Sequence, residues 1–157
     1  MDLYRALRAK ALLVAGAHRN ANANDSADPA HATESVFQTI HTTLFKPAGQ
    51  PKSKTLFLQI HGYSANEHPN TPQVVIGYNW KNDPEKDLLL LKIVSALQNN
   101  HITVGTCNAK KYSGLCGTTN VQRLATEGGV FIHIELNAIL RHNDLAFILA
   151  LEQALGD

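Results

Sequence analysis

Leu56-Phe57-Leu58-Gln59-Ile60-His61-Gly62-Tyr63-Ser64 passes from an apolar, strand-like run straight into a histidine, a glycine and a polar loop. Two other stretches repeat the pattern. Ala11-Leu12-Leu13-Val14-Ala15-Gly16-Ala17 ends at His18, and Val130-Phe131-Ile132-His133-Ile134-Glu135 carries an acid where the other two carry an imidazole. Short continuous apolar runs bounded by turn residues read as strands buried on both faces. In an open α/β sheet, ligands collect outside the carboxyl ends of the strands. His18, His61 and Glu135 are therefore expected to meet there.

The rest of the chain fills in the connections. Asp28 reads as an N-cap with Pro29 at the first helical position, and Val36, Phe37, Ile40 and Leu44 recur at helical spacing, which predicts a helix over 29–45. Strands are expected over 11–17, 54–60, 73–78, 102–104 and 129–136. Asp83-Pro84 starts a second helix that runs to Asn99-Asn100, and an amphipathic helix is expected over 143–155. Residues 61–72 are too polar and proline-rich for regular structure and read as an active-site loop. Residues 105–128 form a long loop with room for a short helix. The expected architecture is α/β: a single three-layer domain over 1–157, with a mixed, mostly parallel sheet and helices on both faces.

Composition narrows the function. The chain has 157 residues, 44% hydrophobic and 17% charged, enough for one sizeable core. A net charge of +1 with scattered Lys and Arg leaves no footprint for nucleic acid. No apolar run approaches the roughly 20 residues of a membrane span, so no membrane partner is expected and the chain reads as soluble. Arg5, Arg8 and Lys10 before residues 11–17 have the look of a leader, but the run is brief and closes at His18-Arg19, so it is read as a strand. Neither a Walker nor a dinucleotide glycine loop is present. Cys107 and Cys116 are placed to close a small disulfide in an oxidising, secreted or periplasmic, setting; two unpaired thiols are the alternative.

Two histidines and an acid suit zinc, which takes nitrogen and oxygen donors. The segments Gly16-Ala17-His18-Arg19, Ile60-His61-Gly62-Tyr63-Ser64 and Ile134-Glu135-Leu136 followed by Arg141 resemble, in order, the metal and catalytic segments of zinc carboxypeptidase-like enzymes. The nearest likeness is to the poly-γ-glutamate hydrolase type. The resemblance implies a phosphorylase/hydrolase-like α/β domain holding one zinc on two histidines and a carboxylate, with a separate catalytic glutamate. The chain departs from that pattern at position 21, where the family's ligand glutamate is replaced by Ala. His31 is the preferred substitute, followed by Asp28 and then Glu34.

The expected metal set is thus His18, His31 and His61, with Glu135 as the catalytic base. His133 shares a strand face with Glu135, and reads either as its partner or as a satisfied core histidine. His41, between Phe37 and Leu44, reads as packed or surface-exposed. Asn120, Arg123 and Arg141 are the candidates for binding a small peptide or amide substrate through its carboxylate, because a guanidinium matches a carboxylate bidentately. The competing expectations are a non-catalytic α/β binding module and, more weakly, a thiol enzyme.

Overall fold

Val130–Leu136 is buried along its whole length, which requires cover on both faces and a partner on both edges. The computed structural model, which describes residues 2–24, 26–45, 55–107, 111–126 and 129–156, supplies both. This strand is β4. Parallel to it lies β1 (Leu56–Gly62), and antiparallel on its other edge lies β2 (Val74–Tyr78). A short β3 (Val104–Thr106) runs parallel to β2, so the order is β1-β4-β2-β3.

The two faces of this sheet differ in chemistry. On one, Leu56, Leu58, Val74, Ile76, Val130, Ile132, Ile134 and Leu136 pack against helices α3 (Pro84–Asn99) and α6 (Leu145–Leu155). Leu90, Ile93 and Leu97 of α3 recur at helical spacing toward Phe147, Ala150 and Leu151 of α6. On the other face, Phe57 and Phe131 meet His41 and Phe45 of α2 (Val36–Phe45), and farther along the strands the side chains turn polar. The one-turn α1 (Leu3–Ala6) lies against α6; α4 (Val121–Ala125) lies against α2.

Local signals explain the helix ends. Asp83 accepts the Lys86 N–H and Pro84 opens α3, as its sequence dictates. At the other end, Ile102 N–H bonds to Leu97 O and His101 N–H to Gln98 O, with His101 at φ 60°. This is a Schellman stop with histidine where glycine is usual. It uses Ile102 to close the helix, so β3 begins at Val104 and not at 102. Asn137 accepts the Leu140 N–H and starts α5 (Ala138–His142) directly after β4.

Two expectations need correction. Residues 11–17 form no strand: they are irregular, with Leu12 and Val14 62% and 73% exposed. Four of the seven are Ala or Gly, which pack poorly on a pleated surface, and the sheet ends at β1 with no partner from this segment. The helix predicted over 29–45 begins at Val36. Asp28 instead caps a single turn, accepting the Ala30 N–H on its side chain and the His31 and Ala32 N–H groups on its carbonyl; Ser35 Oγ then accepts the Gln38 N–H at the true start of α2. Of the strand expected over 54–60, residue 54 lies outside the described residues, and β1 extends to Gly62.

The left-handed conformation of His101 costs a side-chain-bearing residue about 1 kcal/mol. His101→Gly is expected to raise stability by up to about that amount, measured by urea unfolding. A loss of stability would show that the imidazole contributes more than its backbone costs.

Candidate functional site

Parallel pairing sets His61 opposite Glu135 and Gln59 opposite His133. Because strand side chains alternate, these four lie on one face, where Phe57 and Phe131 give way to polar groups. The rings of His61 and His133 are 4.9 Å apart between centroids, and His133 Nε2 lies 3.2 Å from Glu135 Oε1. Glu135 is 8% exposed, and its Oε2 is the one buried side-chain nitrogen or oxygen without a hydrogen-bond partner among the described residues. An orphaned buried carboxylate oxygen is costly and marks a place where something else binds.

The surroundings of His61 disfavour its protonated form. Burial, and then the neighbouring His133 ring, push its pKa below the ordinary histidine value, with Glu135 pulling in the opposite direction. Arg19 and Asp28 also act on His61 by charge, which brings the 19–31 loop to the same end of the sheet. Within that loop, Asp28 Oδ2 accepts from Arg19 Nη2 at 2.6 Å and lies 3.0 Å from His31 Nδ1. Burial raises the Asp28 pKa, but the hydrogen bonds from His31 and the Ala30 N–H, with the Arg19 charge, outweigh it and leave the carboxyl below its ordinary range. His31 Nδ1 so engaged directs Nε2 outward, to Thr119 Oγ1 at 3.2 Å.

The segment 111–120 closes over this face. Cys107 and Cys116 are joined in a disulfide, which removes the thiol-enzyme reading because neither cysteine is free. Leu115 packs with Tyr63 and Val75. The backbone comes close enough that a Cβ on Gly77 would sit 2.3 Å from the Cys116 carbonyl oxygen. Gly117, at φ +56°, lies against the His133 ring, where a Cβ would be 2.7 Å from Cγ.

Of the residues expected to bind substrate, Arg141 lies at the carboxyl end of β1 but on the face of Gly62 and Leu136, with Nη2 3.5 Å from the Tyr63 carbonyl, and Arg123 lies farther off. Asn137 follows β4 and caps α5, which returns Arg141 over Gly62; a Cβ there would lie 2.4 Å from Arg141 Cδ. Glycine after His61 thus makes room for the guanidinium. Arg123 donates to the Tyr78 carbonyl at 3.0 Å, opposite Ile132, three residues and about 10 Å along β4 from Glu135. Asn120 is buried beside His133, with Nδ2 3.3 Å from Nδ1.

Among the metal candidates, His61 stands beside Glu135, and His31 shares the loop of Asp28. His18 is exposed, and its Nδ1 accepts the Asn20 N–H at 3.2 Å. Glu34 is exposed. Among the described residues, no three His, Cys, Asp or Glu side chains gather closely enough to hold a metal ion as they stand. His41 is packed, with Nε2 bonded to the Gln122 carbonyl and Thr126. The sequence reading passed over Gln59 and Gln122. Both are polar residues in runs that bury, and that pattern was the available signal.

Comparison with models of known protein families, with curated proteins and with solved structures finds no match.

Gly117→Ala combines a disfavoured backbone with a clash against His133. It is expected to destabilise the fold by about 1–3 kcal/mol and to shift the His133 ring resonances in NMR spectra. Wild-type stability with unchanged His133 signals would show that the segment does not clamp that ring.

Proposed function

We propose that the chain is a zinc-dependent hydrolase, carboxypeptidase-like in chemistry and phosphorylase/hydrolase-like in fold, that cleaves an amide or peptide bond in a small carboxylate-bearing substrate. The observation that carries this reading is the unpartnered Oε2 of buried Glu135, opposite His61 at the carboxyl ends of β1 and β4. A buried acid with one oxygen tied and the other open is suited to moving a proton.

The donors fit zinc in kind. His61 offers a neutral imidazole, and His31 is oriented by Asp28 in the way a carboxylate commonly braces a metal-binding histidine. His18, His31 and His61 are the residues that would hold the ion, with His18 exchanging its bond to the Asn20 N–H for ligation. Zinc supplies Lewis-acid activation of water and of the scissile carbonyl. Glu135 Oε2 then takes the proton from the attacking water and returns it to the leaving amine, while Oε1 stays on His133. Arg141, held over Gly62, receives the substrate carboxylate.

A non-catalytic α/β binding module is the second reading, favoured by the separation of the metal candidates as they stand. It treats His133 and Glu135 as a structural pair. In the hydrolase reading, Glu135→Gln removes the base but keeps the shape, so turnover of small peptides should fall about a hundredfold or more with zinc content unchanged by elemental analysis. Unchanged turnover would make Glu135 structural; lost zinc would make it a ligand.

Arg141→Lys tests the substrate contact. Lysine keeps the charge and loses the planar fork, so kcat/KM on peptides with a free carboxylate should drop about tenfold, the worth of one charge-assisted hydrogen bond. Amidated analogues should be cleaved as before. Equal effects on both substrate sets would remove Arg141 from carboxylate recognition.

A further inference from the structure

β1 is an edge strand whose backbone is paired on one side only. The Thr55 carbonyl accepts the Val130 N–H, and the Tyr63 N–H donates to the Leu136 carbonyl. In a parallel ladder every second residue turns its N–H and C=O to the neighbour, so Phe57, Gln59 and His61 serve β4, and the N–H and C=O groups of Leu56, Leu58, Ile60 and Gly62 point away from the sheet. Among the described residues none of these outward groups has a hydrogen-bond partner. The usual means of blunting such an edge are missing: Leu56–Gly62 contains no Lys, Arg, Asp, Glu or Pro, and its pairing with β4 runs without a bulge. The opposite edge is protected by its shortness, since β3 is only Val104–Thr106. No residue of β1 is buried, and Ile60 is 38% exposed. At the carboxyl end of this open edge stands an uncompensated cation. The Arg141 guanidinium covers Gly62, contacts the Tyr63 carbonyl at 3.5 Å, and forms no ion pair among the described residues.

We propose that the β1 edge takes an extended peptide as an added strand, running parallel to β1 with its C-terminal carboxylate on Arg141. Main-chain bonds supply the attraction, as in other strand additions, and the guanidinium sets the direction, because only a parallel peptide brings its carboxylate to that end. The register follows from the ladder. With the last residue level with Gly62, the penultimate residue lies beside His61, donates its N–H to the Ile60 carbonyl and accepts the Gly62 N–H. The residue before it lies beside Ile60 and points its N–H away from the sheet. Side chains level with Leu56, Leu58 and Ile60 share the apolar face of the sheet, and those level with Gln59 and His61 share the polar one. The preferred partner is therefore a peptide of alternating apolar and polar residues with a small last residue and a free carboxylate. This goes beyond the hydrolase reading and shares only Arg141 with it: the peptide docks whether or not it is then cleaved.

The test is titration of the 15N-labelled full-length protein, wild type and Glu135→Gln, with an acetylated heptapeptide of alternating Val and Thr that ends in Ala with a free carboxylate. The amide signals of Leu58, Ile60 and Gly62 should move on binding. N-methylation of the penultimate residue removes a ladder bond and should weaken binding about tenfold or more; the same methyl on the residue before it should change the affinity by no more than about twofold. Amidating the C-terminus should also cost about tenfold. Ile60→Pro removes one outward N–H and leaves the bonds to β4 in place, so it should weaken binding about tenfold with β4 amide signals unchanged. Should that variant not fold, the two methylated peptides decide alone. No binding, equal effects of the two methylations, or equal affinity for acid and amide overturns the proposal. So do β1 signals that move with protein concentration and not with peptide, which would put a second copy on the edge. Binding without cleavage by wild type fails the hydrolase reading alone, and cleavage without the alternating methyl effect fails this proposal alone.

Discussion

The parallel pairing of β1 with β4 is the constraint on which the rest depends. Its register puts His61 opposite Glu135 and Gln59 opposite His133, and a slip of β1 by one residue would turn Gln59 and His61 into the apolar layer beneath α3 and α6, away from His133 and Glu135. That layer holds the register: Leu56, Leu58, Val130, Ile132 and Ile134 alternate with the polar set and pack against the helices. Burying a Leu or Ile side chain is worth about 1.5–3 kcal/mol, and several act together here. The hydrophobic face thereby determines which polar groups share the other.

The polar face raises the opposite problem, since each buried polar group must find a partner. Gln59, Asn120, Gln122, His41, Thr126 and His133 satisfy one another or a backbone carbonyl. Their bonds are also what attach α2, α4 and the Asp28 turn to the sheet. Glu135 is where this economy stops, because Oε1 is bonded and Oε2 is not. A half-satisfied carboxylate in an otherwise closed network is a local breach of folding rules, and such breaches gather where a protein binds or reacts.

Much of this was legible in the sequence, and the rest was hidden for physical reasons. Unbroken apolar runs announced β1, β2 and β4, Asp83-Pro84 announced α3, and the acid at the end of an apolar strand singled out Glu135. Residues 11–17 misled because an apolar run becomes a strand only when a sheet edge accepts it, and Ala and Gly supply little to pack. Asp28-Pro29 is a helix-start signal that here ends after one turn, with Ser35 capping α2 later. Arg123 and Arg141 could not be separated by sequence, since their positions depend on which end of β4 each short helix lies beside. Gln59 and Gln122 acquire meaning only in three dimensions, through the order in which their amides face one another.

Zinc at this face is the central claim, and diffraction at the zinc absorption edge from crystals of the protein grown with one equivalent of zinc tests it most directly. The account predicts a single anomalous peak bonded to His18, His31 and His61, on the side of the sheet that carries Glu135. No peak, or a peak remote from the carboxyl ends of β1 and β4, would contradict it.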